Sequence, residues 1–249
     1  MERAVTFPVR TANPLVVCCV MLGCHIDAYD AIPASARPPD PLVVSLEATE
    51  RRMHTRYGSA RSMVDAIARS DLEGAHAKAH VVAVLNEPDA LPAWRPYIVA
   101  VQRAAQDVEH AGSLATAARA AAVLGMRCAG CHDAIQAQVA LAEERRPSRD
   151  PKLSQEMLGH HWAELELWNG LMAPSNDHWR RGGAALSELP VDIVAQSQHA
   201  GIADDVDDTA RVRAYGRRAL AAQTHGERAD VYGDLLAACA HCHQTLRDR

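Results

Sequence analysis

The chain of 249 residues contains few aromatic side chains. Phe, Trp and Tyr make up 4% of the sequence, with a single Phe, although 48% of the residues are hydrophobic. A core of this composition is built largely from small side chains, above all alanine. Such a core leaves room for a large flat ligand. The length itself allows two modest domains.

Several function classes lack support in the sequence. The net charge of −5 gives no reason to expect nucleic acid as a partner. The chain has no recognisable Ser-His-Asp set, no glycine-rich loop for phosphate and no convincing pair of catalytic carboxylates. A carrier protein is therefore favoured over an enzyme.

Cysteine is absent from most of the chain. Three of the seven cysteines lie near the N-terminus, at Cys18, Cys19 and Cys24. The other four belong to two short motifs, Cys128-Ala129-Gly130-Cys131-His132 and Cys239-Ala240-His241-Cys242-His243. No cysteine therefore remains for a structural disulfide in the body of the protein.

Both motifs have the Cys-x-x-Cys-His spacing that attaches c-type haem. On a helix, thiols three residues apart share one face, and the next histidine reaches the iron as proximal ligand. The sequence predicts two covalently attached haem c groups, held by Cys128, Cys131, Cys239 and Cys242, with His132 and His243 as proximal ligands. A zinc site using both Cys pairs and two thioredoxin-like redox pairs are the alternatives. Neither explains the histidine that follows both times.

Residues 1–24 are predicted to be an export signal. The apolar stretch 15–23 is too short to span a bilayer but suits the core of a signal peptide. Met21-Leu22-Gly23-Cys24 resembles a bacterial lipoprotein cleavage box and predicts lipidation of Cys24. A plain signal peptide or an ordinary buried segment is the alternative. The Pro-rich residues 25–41 would then tether the protein to the periplasmic side of a bacterial membrane.

Beyond the tether, apolar residues recur at helical spacing in two similar halves. The pattern predicts an all-α protein of two tandem up-and-down four-helix bundles, with a haem motif at the end of each last helix. The first bundle covers 42–140, a linker covers 141–152, and the second bundle covers 153–249. Met53 matches Met157 at an offset of 104, and Cys131 matches Cys242 at an offset of 111. The seven extra residues are expected in the polar connection of the second half, between 187 and 207.

Each half resembles a class II cytochrome c, the cytochrome c prime group, in which the haem motif lies near the C-terminus of a four-helix bundle. The resemblance covers about residues 42–134 and 153–246. It implies an exported dihaem cytochrome that carries electrons between redox partner proteins, and it allows a homodimer. Only six residues follow His243, so a class I arrangement with a methionine ligand far downstream does not fit the second haem.

The distal ligands are expected on the first helix of each half. His54 and His160 are favoured, with Met53, Met157 and His161 as alternates. The register between the halves is imperfect, because the equivalent of His160 at an offset of 104 is Arg56. Two protein ligands suit electron transfer, whereas an open position suits gas binding or peroxide chemistry. The alternative function is accordingly a dihaem enzyme or gas-binding protein with one open haem.

The other histidines have no assigned role in the haem sites. His178 and His225 are among those expected to be ordinary surface residues.

Overall fold

The computed structural model describes residues 41–88, 90–137, 139–142, 144–147, 153–188 and 206–247. These ranges are all-α, as predicted, and contain no strand. None of the helices in these ranges has the length and apolar character needed to cross a membrane. The predicted export signal, the lipidation of Cys24 and nearly all of the tether lie outside the described ranges and stay predictions. The same holds for most of the insertion between 187 and 207.

In the described part of the chain, eight α-helices form two halves of four. The first half contains α1 (Pro41–Ala68), α2 (Leu72–Val84), α3 (Arg95–Glu109) and α4 (Leu114–Ala134). The second half contains α5 (Leu153–Met172), α6 (Asn176–Ser187), α7 (Val206–Ala221) and α8 (His225–Arg247). A short 3-10 turn, Pro92–Trp94, precedes α3. The haem motifs lie at the C-terminal ends of α4 and α8.

Side-chain caps define where several helices begin. Asp71 accepts a hydrogen bond from the Gly74 amide at the start of α2, and Ser175 accepts one from the His178 amide at the start of α6. Ser113 forms a reciprocal capping box with Thr116 at the start of α4. These bonds satisfy amides that the first helical turn leaves unpaired. The polar breaks in the sequence therefore become helix starts in the structure.

Within each half, helices that follow one another in the chain pack side by side. In the first half α1 packs on α2, α2 on α3 and α3 on α4, and the second half repeats this order from α5 to α8. Short connections between the helices produce this succession. Each half therefore has the helix order expected of an up-and-down arrangement.

The two halves pack closely on each other. The most extensive contact in the described chain joins α4 to α8, the two helices that carry the motifs. They run antiparallel, because Asp133 at the end of α4 bonds to His225 Nε2 at the start of α8, at 2.6 Å. They cross where a Cβ on Gly233 would lie 3.3 Å from the Ala122 Cβ. Ala122 and Gly233 are equivalent at the offset of 111, so an approximate two-fold axis passes near this crossing.

The cores of the halves differ in the size of their side chains. Most buried positions of α2, α3 and α4 are alanines, such as Ala75, Ala105 and Ala118. The second half buries larger groups, including Trp168, Trp179 and Tyr232. The buried aromatic residues of the described ranges are thus concentrated in the second half.

Candidate functional site

The first Cys-x-x-Cys-His motif lines a cavity of about 1050 Å³, a volume that includes its solvent-filled mouth. Cys128, Cys131 and His132 of α4 form one wall, and α1 forms the opposite wall with Met53 and His54 among its residues. The rest of the lining comes from Ile98 and Val101 of α3, from Met172 of α5, and from Val139, Leu141, Ala142 and Glu144. The structure thus brings the predicted attachment residues and the predicted distal candidates of the first half to one site.

Both motif histidines use the same ring nitrogen in the same way. His132 Nδ1 lies 3.0 Å from the carbonyl oxygen of Met172, and His243 Nδ1 donates to the carbonyl oxygen of Ala68. A carbonyl oxygen can only accept, so each Nδ1 carries the proton and each Nε2 keeps a lone pair. A metal ligand whose other nitrogen donates to a carbonyl is the usual arrangement for histidine.

Each of these two hydrogen bonds joins one half of the chain to the other. Met172 ends α5 of the second half, and Ala68 ends α1 of the first half. Met172 and Ala68 are equivalent at the offset of 104, so the duplication relates the two bonds. Each motif histidine is therefore held by the first helix of the other half, an exchange that the sequence pattern did not reveal.

Arg56 is a residue of the first site that sequence reasoning did not include. Its side chain is buried, and it binds Glu87 at 2.8 Å through Nη1 and the Leu85 carbonyl at 3.1 Å through Nη2. Its Nε is buried and has no hydrogen-bond partner. Arg56 lines the cavity at the position equivalent to His160. The offset of 104 was the signal that could have identified it.

The two favoured distal ligands, His54 and His160, lie in different surroundings. The His54 side chain is 44% exposed, and its Nε2 is 3.9 Å from Glu50. Leu158, its equivalent in the second half, is exposed as well, so this helix position faces outward in both halves. Met53 lies half-buried one residue earlier and also lines the cavity. The geometry therefore favours the alternate Met53 over His54.

The second site brings His160 toward the second motif. Its Nε2 is buried and has no hydrogen-bond partner. Burial, and then the nearby charge of His243, lower the pKa of His160 to about 4. The imidazole is therefore neutral at neutral pH, with a lone pair available for a metal. The alternate His161 is 47% exposed and lies 3.9 Å from Glu164 through Nδ1.

The thiols do not suit a thioredoxin-like pair. Burial raises the pKa of the Cys128 thiol to about 12, and the positive charge of Arg56 opposes this effect only in part. Burial also raises the pKa of Cys131. Redox-active Cys pairs depend on a lowered pKa, because the thiolate is the reactive form. The first motif has the opposite environment.

The geometry also excludes a zinc site that uses both Cys pairs. Each motif centre lies about eight residues from the α4–α8 crossing, in opposite directions, which separates the pairs by roughly 24 Å at the usual helical rise. Zinc ligands must all lie within about 2.3 Å of one ion. Across the described ranges, no three His, Cys, Asp or Glu side chains are grouped so that they could hold a metal ion.

Part of the predicted linker covers the first site. Leu141, Ala142 and Glu144 line the cavity, and Glu144 binds Arg61 of α1 at 2.8 Å. The Glu144 carbonyl also accepts a hydrogen bond from Trp162 Nε1. The segment that joins the halves is thus itself part of the cavity wall.

A buried carboxyl lies near the second motif. Glu164 of α5 accepts a hydrogen bond from the Tyr232 hydroxyl of α8, and both side chains are buried. Burial raises the pKa of Glu164 to about 7, although the Tyr232 bond opposes this effect. Burial also raises the pKa of Tyr232 well above its usual value. The Glu164 carboxyl therefore titrates near neutral pH, in contrast to an exposed glutamate.

Glu164→Gln is expected to alter the pH dependence of stability. The native carboxyl keeps a proton that the unfolded chain releases above its ordinary pKa of 4.5. The contribution of Glu164 to the free energy of unfolding is fully present below that pH. It is lost as the pH rises towards 7, which lowers the free energy of unfolding by roughly 3 kcal/mol. Glutamine cannot ionise, so the variant should lose this decline.

Urea unfolding at several pH values across this window would measure the effect. Glu144→Gln is the matched control, because the Glu144 side chain is 42% exposed and pairs with Arg61 at the surface. The control should keep the wild-type slope. If the free energy of unfolding changed with pH in the same way for wild type and Glu164→Gln, the raised pKa of Glu164 would be contradicted.

Two histidines expected at the surface have structural partners. His178 is buried, and the expectation for it was wrong, because its Nδ1 lies 3.1 Å from a Glu166 oxygen and 2.9 Å from Arg181 Nη2 in the interior of the second half. His225 is the partner of Asp133 across the α4–α8 contact. Both residues therefore support the fold.

No model of a known protein family, no curated protein and no solved structure matches this chain. Its function must therefore be inferred from the residues and their geometry.

Proposed function

We propose that this chain is an exported c-type cytochrome that carries two covalently attached haem groups and passes electrons between redox partner proteins. The observation that carries the proposal is the doubled Cys-x-x-Cys-His motif whose two histidines both commit Nδ1 to a backbone carbonyl. In each motif an Nε2 lone pair remains next to two thiols on one helix face. These are the groups that covalent haem attachment requires.

The residues of the first site fit the cofactor. Cys128 and Cys131 would attach it, and His132 would bind its iron from a cavity whose walls are mainly apolar. A bound haem supplies one-electron chemistry at its iron. The Met172 carbonyl holds His132 in a fixed orientation, which limits the rearrangement that accompanies electron transfer.

The resemblance to class II cytochromes c extends the proposal to the architecture. Each half would be one four-helix haem unit, and the α4–α8 contact joins the two units into one body. Lipidation at Cys24 would anchor the protein on the periplasmic side of a bacterial membrane, where haem attachment of this kind occurs. A homodimer is proposed from the resemblance alone.

The distal faces of the two haem groups are proposed to differ. His160 is the candidate ligand in the second site, since its neutral Nε2 has no partner within the described chain. In the first site the equivalent residue is Arg56, whose guanidinium stays protonated, has no lone pair for iron and is paired with Glu87. Met53 is then the inward candidate of the first site, and His54 stays a prediction.

A second candidate function is favoured by the cavity itself. If Met53 does not bind the iron, the first haem keeps an open face in a space of about 1050 Å³. The protein would then bind a small gas or react with peroxide at the first site. A spectrum of the reduced protein with and without carbon monoxide separates the two candidates, because a haem with two protein ligands does not bind the gas readily.

Intact-mass measurement tests the proposal directly. The protein exported by a host that attaches haem should have the mass of the polypeptide plus two haem groups, and the haem should persist after denaturation. The same gene in a host without the attachment machinery is the control and should yield the bare polypeptide. A bare polypeptide from the competent host would contradict the proposed function.

A further inference from the structure

The two motifs lie at opposite ends of the antiparallel α4–α8 pair, so the middle of this pair separates them. The helix ends meet at Asp133 and His225, and the crossing lies near Ala122 and Gly233. An electron that moves between the two sites within one molecule must pass this middle region. The side chains that fill it therefore determine how strongly the two sites communicate.

Trp168 of α5 fills the side of this region that is next to the first motif. It is fully buried, and a Cβ added to Gly125 would lie 2.9 Å from its Cζ3 atom. The absence of a side chain at Gly125 thus lets the indole ring rest directly on the backbone of α4. Gly125 precedes Cys128 by three residues, which is about one helical turn.

Tyr232 of α8 continues the contact towards the second motif. Its ring centroid is 5.6 Å from that of Trp168, with the planes tilted by 37°. This separation is within the range of a favourable aromatic pair. Tyr232 precedes Cys239 by seven residues, which places both on one face of α8 about two turns apart. The nearby Cys239 also contributes to the raised pKa of Tyr232.

A second link ties the first cavity to the same pair. Tyr57 lines the cavity, and its hydroxyl donates to Asn169 Oδ1 at 3.0 Å. Asn169 is the residue after Trp168. In a chain with only four Trp and five Tyr, three aromatic residues therefore lie on one continuous route between the motifs.

We infer that the Trp168–Tyr232 pair is the electronic contact between the two haem sites, an inference that rests on the proposed function. One electron leaves the reduced iron of one site and enters the oxidised iron of the other. No bond forms or breaks, and no proton moves. Tunnelling weakens steeply with distance and passes more readily through packed atoms than across a gap. The ring pair serves this purpose because Trp168 of α5 contacts the α4 backbone at Gly125 and packs on the Tyr232 ring of α8.

Flash reduction of the protein that carries both haem groups tests the inference. Less than one electron per molecule is delivered to the oxidised protein, and absorbance follows its redistribution between the sites. Trp168→Leu and Tyr232→Leu should each slow this redistribution several-fold. Tyr232→Phe keeps the ring and should stay near the wild-type rate. Haem content should be unchanged in all three variants. Tyr232→Leu and Tyr232→Phe both lose the hydrogen bond to Glu164, so a shift of the second midpoint potential is common to both and does not explain a slowing seen only in Tyr232→Leu.

Trp179→Leu is the matched control. Trp179 is as deeply buried as Trp168, but its Nε1 bonds to the Ala219 carbonyl between α6 and α7, away from the motifs. This control should redistribute electrons at the wild-type rate. Wild-type rates in both Trp168→Leu and Tyr232→Leu, or equal slowing in Trp179→Leu, would overturn the inference. A wild-type protein without two haem groups would instead overturn the proposed function.

Discussion

Replacing Cys239 and Cys242 together with alanine is expected to remove one of the two haem groups and leave the other attached. The first motif lies at the far end of the α4–α8 pair, so its cavity does not depend on the lost thioethers. Both cysteines are half-buried, and their replacement removes only one sulfur atom each. The helical packing around Ala240 should therefore survive.

Intact mass and haem absorbance per polypeptide measure this result. The variant should carry one haem and about half of the wild-type haem absorbance, a stoichiometry that follows from one attachment motif per haem. Cys128→Ala combined with Cys131→Ala is the matched control and should yield the complementary species with only the second haem. Loss of both haem groups in either variant would show that the two attachments depend on each other and would contradict the expectation.

His160→Ala is expected to convert the second haem from low spin to high spin and to let it bind carbon monoxide. The physical reason is the loss of an imidazole whose Nε2 is buried, neutral and without a partner in the described chain. The variant breaks no hydrogen bond of Nε2, so its main structural cost is the cavity that the missing ring leaves. As for other large-to-small changes, this cavity should lower the free energy of unfolding by at most about 5 kcal/mol.

Visible absorption and electron paramagnetic resonance of the oxidised protein report the spin state. His54→Ala is the control on the equivalent helix of the first half, and its exposed side chain leads us to expect an unchanged spectrum. Wild-type spectra in His160→Ala would show that another residue binds the second iron. A change in His54→Ala would restore His54 as the first distal ligand in place of Met53.

Much of the helical framework could be predicted from the sequence because it depends on local chemistry. Apolar spacing identified the helices, and the helix starts at Asp71, Ser113 and Ser175 use side chains whose capping function is independent of tertiary context. The spacing of the two haem motifs likewise depends only on neighbouring residues.

The contacts between the halves could not be predicted in this way. Two Ala-rich helices such as α4 and α8 present similar faces, and their apolar spacing does not predict which helix each of them packs against. The burial of Arg56 and His178 depends on Glu87 and Glu166, which lie far from them along the chain or on another helix. His178 was expected at the surface because its sequence neighbours gave no sign of such a partner.

Because hydrogen bonds are exchanged between the halves, the two motif histidines acquire their carbonyl partners in a different order as the chain is synthesised, despite their matching geometry. His132 emerges 40 residues before Met172, the residue whose carbonyl orients its ring. His243 emerges 175 residues after Ala68, so its acceptor is already present when it arrives. The His132 imidazole must therefore wait for α5 before it is fixed, whereas the acceptor of His243 has already been made when His243 emerges.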